Sequence, residues 1–85
     1  MNTPSVPGQP LTTGQLDALR LLACGYSGKQ IALRLGSTES GIHQRLYEAT
    51  VRLGAQTRTH AVVIALRRGD IRFDDLTSHT WDTHA

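Results

Sequence analysis

Side chains that could catalyse a reaction or bind a metal ion are few in this chain and stand far apart. Cys24 is the only cysteine, and the four histidines lie at positions 43, 60, 79 and 84. No histidine has a companion at the spacing of metal ligands, and the chain has no glycine-rich phosphate loop, carboxylate pair or activated nucleophile. We therefore expect no enzyme, no metal site and no cofactor, and we interpret Cys24 as a small buried residue.

Hydrogen-bonding chemistry of another kind is concentrated between residues 43 and 47. The apolar residues of this segment recur at helical spacing: Ile42, Leu46, Ala49 and Leu53. His43, Gln44 and Tyr47 must then project from another face of the same helix. A glutamine amide can pair with N6 and N7 of adenine, a histidine can donate to guanine, and a tyrosine ring can contact a thymine methyl group. The same three residues are also compatible with an ordinary solvated surface.

Four predicted helices must position these side chains, and each opens on a hydroxyl residue and is followed by a glycine. The starting residues are Thr12 or Thr13, Ser27, Thr38 and Thr57. The glycines at positions 25, 36, 54 and 69 stand where a helix C-terminus favours glycine. Gln15 and Gln30 follow the first two starts at capping-box spacing. Because no strand pattern appears, we predict an all-α fold.

The fourth predicted helix is apolar on every side. Residues 61–66 are six apolar residues in a row, and a helix of this kind is buried on more than one side. A domain of about 60 residues has too little interior to cover all of it. We therefore predict a homodimer through this helix, with Val62, Val63 and Leu66 at the interface.

Charge and composition divide the chain into three segments. Residues 1–10 hold all three prolines and no charge, and we expect a disordered lead there. Residues 11–69 carry eight basic and three acidic residues, a net +5, which is compatible with a domain that binds a polyanion. Residues 70–85 carry one basic and four acidic residues, a net −3, and we expect a mostly flexible acidic tail. No apolar run suits a signal peptide or a membrane span, so we expect a cytoplasmic protein.

The second and third predicted helices, joined by Gly36 and Ser37, form a helix-turn-helix, in which the second helix can lie in the major groove of DNA. The stretches LTTGQLDALRLLACGYSGKQIALRLGSTESGIHQRL and RLGAQTRTHAVVIALRRGDI resemble the LuxR-type (GerE-like) helix-turn-helix domain of bacterial transcription regulators. The shared motifs are Leu-Thr at 11–12, Ala-x-Gly-x-Ser at 23–27, Lys-x-Ile-Ala at 29–32, basic-Leu-Gly at 52–54 and Arg-x-x-Ala at 58–61. The resemblance implies a four-helix domain of the winged-helix-like DNA-binding superfold, without a wing.

The resemblance also implies a function, that of a sequence-specific transcription regulator that binds double-stranded DNA. It assigns base contacts to His43, Gln44 and Tyr47. Phosphate contacts are expected from the starts of the second and third helices and from one arginine of the third: Lys29, Thr38, Ser40 and Arg45. The two-fold symmetry of a dimer predicts a palindromic site with half-sites about one helical turn apart.

Several residues depart from the family pattern. The family usually has Glu at position 15, Asn at 28 and Thr at 41, whereas this chain has Gln15, Gly28 and Gly41. With Gln at position 15, an ion pair toward Arg58 is lost or weakened. These departures and the acidic tail leave a second interpretation open, a helix-turn-helix interaction module that binds RNA polymerase, a sigma factor or another regulator. Because ten residues precede the motif, we expect a stand-alone domain with no small-molecule ligand.

Overall fold

The computed structural model describes residues 4–72 and residue 74, and in that part of the chain it contains four α-helices and no strand. The helices are α1 (Thr13–Ala23), α2 (Gly28–Leu35), α3 (Glu39–Arg52) and α4 (Arg58–Arg68). The predicted all-α, four-helix fold is confirmed. None of these helices has the length and apolar character needed to cross a membrane. Most of the predicted acidic tail, namely residue 73 and residues 75–85, lies outside the described residues.

A hydroxyl side chain caps the start of each helix. The side-chain oxygen accepts a hydrogen bond from the backbone N–H three residues further on, at distances of 2.9 to 3.2 Å. The four caps are Thr12, Ser27, Thr38 and Thr57. Gln15 and Gln30 complete the predicted capping boxes, because their side-chain oxygens accept the backbone N–H of the capping residue. A hydroxyl cap contributes about 1 kcal/mol, which matters most for the short helix α2.

Helix α3 lies at the centre of the fold and contacts the other three helices. Its inner face carries the predicted apolar residues Ile42, Leu46 and Ala49, all 0% exposed. The fully buried residues that the other elements supply to the core are Ala18, Leu19, Ile31, Ala61, Ala65 and Ile71. Because one face of α3 holds the domain together, its opposite face is left for other contacts.

The turn between α2 and α3 depends on Gly36, which has a φ of +64°. In this left-handed conformation the chain reverses at the end of α2, and the N–H of Ser37 donates to the carbonyl oxygen of Ala32 at 2.9 Å. A residue with a Cβ atom adopts this conformation at a cost of roughly 1–2 kcal/mol. The direction in which α3 leaves the turn therefore depends on a glycine at this position.

We expect Gly36→Ala to lower the free energy of unfolding by about 1 kcal/mol or more, because alanine is strained at positive φ. Gly14→Ala is the matched control. Gly14 lies in the first turn of α1, and a Cβ atom there would approach the Arg45 side chain no closer than 3.5 Å. This control should leave the stability unchanged or raise it by up to about 1 kcal/mol. Urea unfolding of both variants measures the difference, and equal losses would contradict the role of Gly36.

Residues 4–10 lie against the C-terminal end of α3, where Arg52 holds them. The Arg52 guanidinium donates to the Ser5 hydroxyl at 3.0 Å and to the carbonyl oxygen of Pro10 at 2.8 Å. The N–H of Gly8 donates to the carbonyl oxygen of Arg52 at 2.9 Å. The sequence pattern gave no reason to expect these contacts, and the division of the chain into lead, domain and tail stays a prediction.

Helix α4 is covered unevenly. Ala61 and Ala65 are fully buried, whereas Val63 is 45% exposed. Val62 and Leu66 are half-buried and pack against the edge of the core. Of the three predicted interface residues, Val63 is therefore the one that the domain itself leaves uncovered, and the homodimer stays a prediction.

Candidate nucleic-acid interface

Helices α2 and α3, with residues 36–38 between them, form the helix-turn-helix that the sequence predicts. Ile31 of α2 packs in the same buried cluster as Ile42 and Leu46 of α3. The turn is fixed at one end by Gly36 and at the other by the Thr38 cap. This packing holds the eight residues of α2 against the fourteen residues of α3. The pair can therefore present the outer side of α3 as a rigid surface.

The side of α3 opposite its buried face is exposed over two turns. Its members are Ser40, His43, Gln44 and Tyr47, all of which are exposed. They occupy positions i, i+3, i+4 and i+7, which share one face of a helix. We call these four residues the exposed stripe of α3. The fold thus brings together the three residues predicted to contact bases and one of those predicted to contact phosphate.

Gln44 is oriented by a hydrogen-bonded chain that begins at α1. The backbone N–H of Thr12 donates to Oε1 of Gln15 at 3.1 Å, and Nε2 of Gln15 donates to Oε1 of Glu48 at 3.1 Å. Nε2 of Gln44 donates to the other oxygen of Glu48 at 3.0 Å. Gln15 is only 2% exposed. One of the candidate base contacts is therefore tied, through a carboxylate, to a buried side chain of another helix.

His43 has both ring nitrogens near partners within the domain. Its Nδ1 lies 2.9 Å from Nη2 of Arg58, and its Nε2 lies 3.5 Å from Oε2 of Glu39. Since a guanidinium only donates, Nδ1 must accept in this contact. The ring also occupies the space beside Gly28, where a Cβ atom would come within 3.0 Å of it. His43 therefore lies on the exposed stripe of α3 with Nδ1 engaged by Arg58, whereas its Nε2 makes no hydrogen bond to Glu39 at this distance.

The residues predicted to contact phosphate differ in their surroundings. Lys29, in the first turn of α2, is exposed, and so is Ser40. The Thr38 hydroxyl accepts the N–H of Gly41 at 2.9 Å, which leaves its own hydrogen free to donate. Arg45 is half-buried and lies along α1, with its guanidinium 3.5 Å from the place where a Cβ of Gly14 would stand. Arg45 is thus beside the exposed stripe of α3 and not within it.

Two residues that matter for this surface were not identified as such from the sequence. Glu48 accepts a hydrogen bond from the Gln44 amide, and the i, i+4 spacing of the two residues is a signal that could have suggested this pairing. Arg58 was expected to have lost or weakened its partner at position 15, and in the structure it contacts His43. That contact joins α3 to α4 across 15 positions of the sequence, and no local pattern predicts it.

A second exposed surface lies on α2, away from the exposed stripe of α3. Leu33 is 78% exposed, and the guanidinium of Arg34 lies 4.1 Å from the centre of the Tyr26 ring. These residues and Gln30 line a shallow groove of about 290 Å³.

As for metal sites, no cluster of three or more His, Cys, Asp or Glu side chains within residues 4–72 and 74 could hold an ion.

Comparison with known proteins relates this chain to part of two bacterial regulators. It is 37% identical over 65 residues to the transcriptional regulatory protein YdfI of Bacillus subtilis (strain 168), a match that covers 76% of this chain and 30% of that protein. It is 33% identical over 64 residues to the uncharacterized transcriptional regulatory protein YxjL of the same strain, covering 75% of this chain and 29% of that protein. The matched segment thus spans less than a third of the length of either relative.

No family model matches the chain, and no solved structure matches it. Both relatives are named as transcriptional regulators and neither is named as an enzyme. The matched segment is about as long as the four-helix domain described above. The similarity therefore supports a transcription-regulator domain in this chain.

Proposed function

We propose that this chain is a DNA-binding transcription regulator that inserts α3 into the major groove of double-stranded DNA. The observation that carries this proposal is the exposed stripe of α3, which lies opposite the buried Ile42, Leu46 and Ala49 on the second helix of a helix-turn-helix. The major groove admits one α-helix and displays donors and acceptors that such side chains can read. In this proposal His43, Gln44 and Tyr47 contact bases, and the domain is of the LuxR type.

Phosphate contacts follow from the same placement. Lys29 at the start of α2, and Thr38 and Ser40 at the start of α3, lie near backbone N–H groups that a helix leaves free at its N-terminus. Arg45 can add a positive charge beside the exposed stripe of α3 once its side chain leaves Gly14. A net charge of +5 over residues 11–69 favours the approach of the whole domain to DNA.

Two substitutions on neighbouring helices test this proposal. Lys29→Ala is expected to weaken binding to every duplex by a similar factor, because a phosphate contact carries no sequence information. Gln44→Ala is expected to relax the preference at one base pair, by about 1–3 kcal/mol of discrimination. Selection of bound duplexes from a random pool, with affinities measured at low and moderate salt, distinguishes the two effects. If both variants behave like the parent, α3 does not enter the groove as proposed.

A homodimer through α4 is the second part of the proposal. Val63 is 45% exposed on this helix, and a groove lined by Leu22, Ala23 and Val62, together with Arg58 and Thr59, lies beside it. A second copy that covers this surface would also place two α3 helices on one duplex, with half-sites about one turn apart.

Val63→Glu is expected to convert a dimer into a monomer, because a charge at the centre of a small interface would be desolvated without a partner. Leu33→Glu is the matched control, because Leu33 is exposed on α2. This substitution should leave the oligomeric state unchanged. Sedimentation equilibrium measures both. A parent chain that is monomeric at high concentration and on palindromic DNA would rule the dimer out.

An interaction module that binds RNA polymerase, a sigma factor or another regulator is the second candidate function. The observation that favours it is the exposed Leu33 beside Tyr26 and Arg34, since large exposed apolar side chains are common at protein interfaces. Failure of the parent chain to shift random duplex at low salt would favour this candidate over DNA binding.

A further inference from the structure

We infer that Glu48 is a positioning residue that fixes how Gln44 presents its amide to a base, an inference that rests on the proposed function. The Glu48 carboxylate lies between two glutamine amides, with Nε2 of Gln15 3.1 Å from one oxygen and Nε2 of Gln44 3.0 Å from the other. An ionised carboxylate offers only acceptors. Both amides must therefore turn their NH₂ groups toward it.

Gln15 anchors Glu48 from the interior of the domain. It is 2% exposed, and its Oε1 accepts the backbone N–H of Thr12 at 3.1 Å. Turning this amide over would place its oxygen against the carboxylate and its NH₂ group against the Thr12 N–H, so both hydrogen bonds would be lost. A buried polar group without a partner is costly. The carboxylate of Glu48 is thus fixed relative to the start of α1.

The bond to Glu48 limits the bases with which Gln44 can pair. It uses one of the two N–H groups of the amide, so that one donor and the acceptor Oε1 remain. Adenine presents one donor and one acceptor in the major groove, whereas guanine presents two acceptors. An amide held in this way matches adenine and lacks the second donor that guanine needs. The negative charge of Glu48 opposes the guanine acceptors further.

Glu48→Gln separates this positioning role from the charge of the carboxylate. The new side chain has one oxygen in place of two, so it cannot accept from Gln15 and Gln44 together in the same arrangement. It also removes a negative charge near the DNA, so that affinity for random duplex should stay equal or rise. Glu39→Gln is the matched control, because it removes the same charge from α3 and its contact is with His43.

Selection of bound duplexes from a random pool, with the full chain, tests the inference. The base pair read by Gln44 is the one at which Gln44→Ala loses preference. At that position Glu48→Gln is expected to reduce the preference for adenine over guanine roughly tenfold, whereas Glu39→Gln should retain it. If Gln44→Ala relaxes the position and Glu48→Gln does not, the inference is overturned and the proposed function stands. A parent chain that selects no duplex overturns both.

A measurement on the free protein keeps the inference testable if Glu48→Gln does not fold. The side-chain N–H proton of Gln44 that is bonded to Glu48 should exchange with solvent several-fold more slowly than the corresponding proton of Gln56, which is exposed. Nuclear magnetic resonance of the parent chain gives both rates. A general structural role for Glu48 would not protect this amide, so equal rates for Gln44 and Gln56 would overturn the inference.

Discussion

Leu46→Ala is expected to lower the free energy of unfolding by about 2–5 kcal/mol, the range found when a buried leucine is truncated and leaves a cavity. Leu46 is 0% exposed and lies on the face of α3 that packs in the core with residues of the other helices. A small domain is stable by only about 5–15 kcal/mol in total. The loss should therefore be a large fraction of the stability of this fold, and urea unfolding measures it.

Tyr47→Ala is the matched control, because Tyr47 is the next residue along α3 and is 63% exposed. A surface substitution of this kind usually changes stability by no more than about 0.5 kcal/mol. In the proposed function it should weaken DNA binding while the domain stays folded. Similar losses of stability for the two variants would contradict the assignment of one face of α3 to the core and of the other face to DNA contacts.

Affinity for duplex DNA is expected to fall about 10²- to 10³-fold when the salt concentration rises from roughly 50 to 200 mM, if about four to six phosphates are neutralised. The reason is that each phosphate contact releases a counterion, so the logarithm of the affinity falls linearly with that of the salt concentration. In the proposed function, Lys29 and Arg45 of each protomer of the dimer are the charged residues at the phosphates.

The slope of the logarithm of the affinity against the logarithm of the salt concentration provides a control within the same measurement. Lys29→Ala should reduce the slope by about one for each protomer bound, whereas Gln44→Ala should leave it unchanged because a base contact displaces no counterion. Fluorescence anisotropy with a labelled duplex gives the affinities. A parent chain whose binding is insensitive to salt would contradict the proposed phosphate contacts.

The helices of this fold could be predicted because their signals are local. Thr12 and Gln15 stand three residues apart, and the bonds they exchange depend only on the first turn of α1. Gly36 marks the end of α2 through its own backbone conformation. The stripe of Ile42, Leu46 and Ala49 follows from helical periodicity alone, and it is buried as predicted.

The partners of the polar side chains could not be predicted in the same way. The bond between Gln15 and Glu48 joins residues 33 positions apart, and the bond between Arg52 and Ser5 joins residues 47 apart. Such contacts depend on how the elements cross in space, which periodicity does not specify. For the same reason the exposed stripe of α3 was predictable as a surface, whereas the engagement of His43 by Arg58 was not.

In the proposed function, the exposed stripe of α3 has a consequence for how the choice of DNA target could change, in evolution or by design. Ser40 and Tyr47 have no hydrogen bond or ion pair to another side chain within residues 4–72 and 74, so these two positions can be exchanged independently of the rest of the domain. His43 and Gln44 are each linked to a partner, so a useful substitution there requires a compensating change at position 58 or 48. A library of variants that follows these contacts would vary positions 40 and 47 independently. It would vary position 43 together with 58, and position 44 together with 48.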